Sequence, residues 1–218
     1  MIVRSCGDTM LLVEWEQVID PVINQRAIGL AARLEARLGP LVRDIVPGYC
    51  SLGIHFDPLL TDIAALERTI DEEARELRDV DATADRSVIE IPVRYGGTEG
   101  PDLENVAEWA GCTAAQVVER HASRTYRVYM LGFVPGFAYM GRVDSSIAAP
   151  RHRVPRERVA AGSVGIAGEQ TGVYPIATPG GWRLVGQTDA VMFDAARATP
   201  NLLRPGDLVR FVPVTRGR

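Results

Sequence analysis

Residues 160–189, AAGSVGIAGEQTGVYPIATPGGWRLVGQTD, hold seven glycines and two prolines but only two charged residues before Asp189. So many helix breakers exclude a long helix, and so little charge is foreign to a solvated linker. Between the bends stand pieces of strand length: SVGIA, GVYPIAT and WRLVGQT, preceded by YRVYMLGF and followed by DLVRFVPV. Turn signals fall at Pro135-Gly136, Gly168, Pro179-Gly180-Gly181 and Pro205-Gly206-Asp207. Many short strands without alternating helices predict a closed or nearly closed β-barrel, with glycines at its corners and uncharged side chains facing inward.

The first part of the chain reads differently. Asp20 is placed to cap a helix, Pro21 suits its first position, Ile23, Ala27, Leu30, Leu34 and Leu38 repeat at helical spacing, and Gly39-Pro40 end the run. Asp57-Pro58 repeats the device ahead of Leu59, Ile63, Leu66, Ile70, Ala74 and Leu77, which predicts a second helix over 58–78. Strand-like pieces surround them: IVRSC and TMLLVEW about Gly7-Asp8, LVRDIV and YCSLGIHF about Pro47-Gly48, then VIEIPVRY from Val88. Without the first strand, which would add an N-terminal edge or a hairpin, this order is that of a ferredoxin-like α+β sandwich, with VIEIPVRY as its last strand. His55 alternates onto the polar side of its strand, as a surface or partner-facing residue. The polar, aperiodic stretch DVDATADRS, 79–87, marks the boundary between a first domain, 1–85, and a barrel domain, 86–218.

Between the two patterns, PDLENVAEWAGCTAAQVVERHA imitates a helix-turn-helix, with Thr113 and Gln116 spaced as a capping box. Its second segment offers only Arg120 as a cation, and Asp102, Glu104, Glu108 and Glu119 would repel a phosphate backbone. With a formal net charge of -4, nucleic-acid binding is disfavoured, and the pair reads as a packed excursion from the barrel. His121 at its end reads as a hydrogen-bonded structural histidine.

All 24 basic residues are arginine, which excludes a Schiff-base lysine and the lysine of a phosphate-binding loop. Three cysteines without a CxxC pair indicate neither a disulfide framework nor a zinc site. No apolar run reaches the roughly 20 residues of a membrane span, and Arg4, Asp8 and Glu14 break any signal-peptide core, so a cytoplasmic protein is expected. No HExxH or nucleophile elbow occurs; Ser163 in GSVG reads as a turn residue and GGTEG, 96–100, as a plain loop. Phe133, Phe137 and Tyr139 gather about Pro135-Gly136, and Arg151, Arg153, Arg156 and Arg158 concentrate positive charge in PRHRVPRERV. Such a cluster suits a small carboxylate, an acyl phosphate or an acidic surface of another subunit. Sealing of the barrel by the aromatics and ion pairing of the arginines is the structural alternative.

GFVPGFAYMGRVD, APRHRVPRERVAAGSVGIAGEQTGVYPIATPGGWRLVGQTD and IPVRYGGTEGPDLENVAEWAGCTAAQVVERHAS, with CGDTMLLVEW and GYCSLGIHFDP upstream, closely resemble a family that goes by three names: allophanate hydrolase subunit 1, the B component of 5-oxoprolinase, or kinase A inhibitor-like. The resemblance implies an α+β N-terminal ferredoxin-like sandwich followed by a cyclophilin-like closed β-barrel. It also implies a homologous second subunit, of the type called allophanate hydrolase subunit 2 or the C component of 5-oxoprolinase, and a third subunit. The activity implied is ATP-dependent opening of 5-oxoproline to glutamate, with no membrane or nucleic-acid partner. Two alternatives come with the family: inhibition of a sensor histidine kinase through its dimerisation domain, and a carboxyltransferase half acting on urea or a related amide. Without lysine, ATP is expected to be held largely by partner subunits, and no metal ligand set is evident. Phe133, Tyr139, Gln170, Thr171, Tyr174 and Trp182 are expected to shape a substrate pocket shared with the partner, and Arg151 or Arg156 to pair with a carboxylate.

Overall fold

The computed structural model describes residues 1–77 and 87–215, which fall in two compact units, Met1–Asp85 and Arg86–Arg218. Most of the boundary stretch read from sequence lies outside the described residues.

In the first unit, β1 (Ile2–Ser5) and β2 (Met10–Glu14) form a hairpin, α1 (Pro21–Leu38) follows, β3 (Val42–Pro47) and β4 (Ser51–Phe56) form a second hairpin, and α2 (Ile63–Arg75) closes the unit. The sheet order is β1-β2-β4-β3. This is the ferredoxin-like arrangement, with one correction: the edge beside β2 is filled by β1, not by VIEIPVRY, which joins the barrel. A strand reached through a four-residue turn closes a far smaller loop than one reached across the unit boundary. Leu11, Val13, Ile45, Leu52, Ile54 and Phe56 bury one face of the sheet together with Leu30, Leu34, Leu66 and Ile70 of the helices.

α1 begins as its sequence predicts, with Asp20 Oδ1 accepting from Val22 and Ile23 N–H at 2.8 and 3.0 Å and Pro21 in the first turn. The second helix starts later than predicted. Asp57 closes a separate turn, its Oδ1 taking Leu59 N–H at 3.0 Å and its carbonyl taking those of Leu60 and Thr61, and Asp62 caps α2 through Ala64 N–H at 3.0 Å. Asp62→Ala is therefore expected to destabilise the first unit by about 1 kcal/mol in urea denaturation, the usual cost of a lost N-cap.

The second unit holds β5 (Val88–Tyr95), α3 (Leu103–Ala110), α4 (Ala114–Ala122), β6 (Thr125–Leu131), β7 (Ala138–Gly141), β8 (Arg156–Val159), β9 (Ser163–Ala167), β10 (Gln170–Val173), β11 (Thr178–Gly180), β12 (Arg183–Gln187) and β13 (Leu208–Pro213). Seven of these strands close a barrel in the order β10-β7-β6-β13-β5-β12-β9, and β8 and β11 pair as a separate ribbon. β5 lies parallel to β13, in register from Val88 opposite Leu208 to Val93 opposite Pro213. GVYPIAT, which reads as one strand, is broken near Pro175 into β10 and β11, and Pro179-Gly180, which reads as a turn, lies inside β11. Gly180 is required there, because a Cβ would collide with the Tyr174 hydroxyl.

α3 and α4 bury Leu103, Val106, Ala107, Val117 and His121 against the barrel, joined by Gly111 at φ 61°. The Thr113–Gln116 capping box is made in both directions. His121 is fully buried, with Nδ1 2.7 Å from Tyr95 Oη and Nε2 2.8 Å from Thr171 Oγ1, and its ring stacks on Phe211 at 4.7 Å. Since the Thr171 hydroxyl donates to Gly165 O at 3.0 Å, it accepts from Nε2–H, and Nδ1 accepts from the Tyr95 hydroxyl.

Candidate functional site: an aromatic cleft on the barrel

The loop between β6 and β7 folds on itself. Gly132 N–H donates to Phe137 O at 3.1 Å and Phe137 N–H to Val134 O at 3.1 Å. Gly136 turns at φ 82°, where a Cβ would stand 2.6 Å from Phe193 Cβ. Phe133 has φ 67° in the same loop, a left-handed conformation that costs a bulky residue on the order of 1 kcal/mol. The residue is 59% exposed.

Phe137, by contrast, is buried and is the hub of an aromatic cluster. Its ring meets Phe133 at 5.6 Å, Tyr139 at 4.8 Å, Tyr174 at 5.3 Å and Trp182 at 5.3 Å, every pair edge to face, the geometry that aromatic quadrupoles favour. Over the cluster opens a cleft of about 320 Å³ lined by Phe133, Phe137, Tyr139, Arg151, Pro155, Tyr174, Pro179, Gly180, Gly181 and Trp182. Burial raises the pKa of the Tyr139 and Tyr174 hydroxyls, so both stay protonated near neutral pH.

Arg151 is exposed at the cleft, and among the described residues no carboxylate lies within ion-pair distance of it. Arg156 is placed otherwise: its Nη2 donates to Asp102 Oδ1 at 2.8 Å. Asp102 Oδ2 accepts Leu184 N–H at 2.7 Å, and His152 Nε2 stands 3.2 Å from Oδ1, out of line for a hydrogen bond. Burial alone would raise the Asp102 carboxyl, but the bonds from Arg156 and Leu184 and the nearby His152 outweigh it and hold the pKa below the ordinary range. The backbone ties the same wall together, with His152 N–H donating to Gly181 O at 2.7 Å and Arg183 Nε to Pro150 O at 3.1 Å.

Five of the eight residues expected from sequence, Phe133, Tyr139, Arg151, Tyr174 and Trp182, thus line one cleft. Thr171 faces the barrel core with its hydroxyl committed to His121 and Gly165, Gln170 opens β10 outside the cleft lining, and the charge of Arg156 is committed to Asp102. Sequence reasoning misses the hub role of Phe137 and the ties of Asp102 and His152. By sequence Asp102 is only a charge that repels phosphate, and His152, between two arginines, carries no signal of its own. Ser163 opens β9 almost fully buried, its carbonyl holding Tyr174 N–H, as suits a structural residue. GGTEG is fixed by Arg94, which pairs with Glu99 at 2.8 Å and with both oxygens of Asp189.

The second unit is thus a closed barrel bearing an aromatic cleft with the Arg151 guanidinium at its edge. A model of the family described as carboxyltransferase domain, subdomain C and D, matches residues 1–203, and the chain belongs to that family. It is 45% identical over 214 residues to the B component of 5-oxoprolinase from Escherichia coli O157:H7, which covers 97% of this chain and 95% of that protein. Its identity with the corresponding 5-oxoprolinase component of Bacillus subtilis strain 168 is 38% over 223 residues, covering 98% of this chain and 92% of that one. The crystal structure of TTHA0988 superposes with a TM-score of 0.84 at 37% identity, over 99% of this chain but 41% of that one, so the chain spans less than half the length of that solved relative. No helix among the described residues is long and apolar enough to cross a membrane.

Proposed function

We propose that this chain is the B component of a heteromeric, ATP-dependent 5-oxoprolinase, inactive alone, which converts 5-oxoproline, ATP and water to glutamate, ADP and phosphate. The observation that carries this reading is identity of 38% and 45%, over nearly the whole chain, with two proteins named as that component. It favours the amide-ring enzyme over kinase inhibition and over a carboxyltransferase half acting on urea. The cleft supports it chemically. 5-Oxoproline presents a carboxylate, which suits the free Arg151, a flat ring face, which suits Trp182 and Phe137, and a lactam oxygen, which suits a protonated Tyr139 or Tyr174 hydroxyl. The open side of the cleft is covered by a homologous second subunit, which with a third holds the nucleotide, since this chain has no lysine to clamp phosphates. Its place in the cell is the cytoplasm.

The test is reconstitution with the partner subunits. Turnover of 5-oxoproline is expected to vanish when this chain is omitted, and unchanged turnover would refute the assignment to the complex. Arg151→Gln is expected to raise KM for 5-oxoproline by roughly 10- to 100-fold, the worth of a charge-assisted hydrogen bond. An unchanged KM removes Arg151 as the carboxylate partner.

A further inference from the structure

Asp102 stands at the position just before α3 where an aspartate ordinarily accepts a backbone N–H of its own helix, yet its side chain makes no such bond. The residue is 2% exposed, and both carboxylate oxygens are engaged elsewhere: one by Arg156, 54 residues on, the other by Leu184 N–H, 82 residues on. Asp102 N–H also donates to Leu184 O at 2.9 Å, so the residue is joined to β12 from both sides. These targets lie outside the lining but adjoin residues of its two walls. Arg156 and His152 bracket Pro155 and follow Arg151, whereas Leu184 lies two residues beyond Trp182. No other carboxylate among the described residues pairs with Arg156, whose Nη1 is already buried without a hydrogen-bond partner.

We infer that Asp102 is a positioning residue for the cleft: by pinning the Arg151–Arg156 segment and the start of β12 to one buried carboxylate, it sets the spacing between Arg151 and Trp182. Engaging both oxygens across the barrel makes sense if the distance between the walls matters to a ligand held between them. The inference rests on the reading of the cleft as the 5-oxoproline site, so it needs one readout that uses the substrate and one that does not.

In the reconstituted complex, assayed well below the melting temperature of each variant, Asp102→Asn keeps the side-chain volume but only one acceptor oxygen. KM for 5-oxoproline is expected to rise roughly tenfold with kcat changed less, as for a misplaced binding group. The neutral pair Asp102→Asn with Arg156→Gln is expected to restore KM to within about threefold of wild type by removing a half-buried cation left without its carboxylate. A purely structural role lowers the melting temperature and the active fraction, hence kcat, and leaves KM in place. The second readout is acrylamide quenching of Trp182 in a full-length chain with Trp15→Phe and Trp109→Phe, where Asp102→Asn is expected to raise the quenching constant about twofold by loosening the wall. If Asp102→Asn does not fold, Arg156→Gln alone takes its place in both measurements. Unchanged KM and unchanged quenching in a folded variant overturn the inference. If wild-type complex fails to turn over 5-oxoproline, the functional reading falls and the quenching alone decides the role of Asp102.

Discussion

Between about pH 7 and about pH 4.5 the barrel unit is expected to lose about 2 to 3 kcal/mol of unfolding free energy through His121 alone. Burial inside the barrel lowers its pKa from 6.5 to about 3, so below pH 6.5 the unfolded chain binds a proton that the folded chain refuses. Stability is full above the unfolded value and drains away as pH falls toward the folded one. The groups around the imidazole offer a proton no compensation. Phe211 covers one face, Nε2–H already donates to Thr171, and Nδ1 accepts from Tyr95, whose hydroxyl burial keeps protonated. Protonating Nδ1 would force the Tyr95 hydroxyl to turn from donor to acceptor and leave a charge in an apolar interior. The window is specific, because carboxylates held low in the fold, Asp102 and Asp144, give up their share only near and below their unfolded value of 3.8. Urea denaturation followed by the fluorescence of Trp109 and Trp182, in a Trp15→Phe background, measures it. His121→Gln, which offers an acceptor and a donor without a titrating charge, is expected to flatten the dependence in this window. A wild-type stability constant from pH 7 to 4.5 would contradict the assignment.

The same histidine shows where sequence reading succeeds and where it stops. Its place at the end of an amphipathic helix, beside apolar Val117 and Val118 and with no second metal ligand at suitable spacing, is enough to read it as structural. That Thr171 is its partner is not legible, since segments 50 residues apart meet only after the barrel closes. For that reason Thr171 reads from sequence as a cleft residue, although alternation along β10 turns it into the core. Local devices are read well where a few adjacent residues decide them, as in the cap of α1, the capping box of α4 and the bends at Gly136, Gly168 and Gly206, whereas the break at Pro175 and the strand through Pro179-Gly180 are not. Asp57-Pro58 misleads because an Asp-Pro pair serves a turn as readily as a helix start, and the cap falls to Asp62 five residues later. For VIEIPVRY the sequence gives two answers, the order of elements sending it to the first sheet and the boundary at 79–87 leaving it with the barrel, because its apolar alternation suits either; pairing with β13 at the far end of the unit decides. In the cleft, the aromatic and cationic residues stand out by type. Asp102 does not, since a carboxylate ahead of a helix has a sufficient local explanation that the fold does not use.

Phe137→Ala is expected to cost roughly 3 to 5 kcal/mol, as for a buried phenyl ring whose neighbours cannot collapse into the space it leaves. Those neighbours, Tyr139, Tyr174 and Trp182, are each fixed from another direction: Tyr139 by its place in β7, Tyr174 by its N–H on Ser163 O, and Trp182 by the Gly181 and Arg183 ties to the opposite wall. The hole therefore persists and opens into the cleft, so substrate affinity and stability fall together. Phe133 should separate the two. It is mostly solvent-exposed, has one aromatic neighbour at 5.6 Å, and stands on a backbone at φ 67° that glycine adopts freely. Phe133→Gly is accordingly expected to leave stability unchanged or raise it by up to about 1 kcal/mol, while raising KM for 5-oxoproline in the reconstituted complex at least severalfold. Thermal or urea unfolding of the chain alone, set beside steady-state kinetics of the complex, reads both quantities. If Phe133→Gly is destabilised and its KM unchanged, the ring is packing and nothing more. If stability holds and KM rises, a large apolar side chain is being kept at a strained, exposed position for the sake of what the cleft holds, which is the signature that distinguishes a binding wall from the seam of a well-packed barrel.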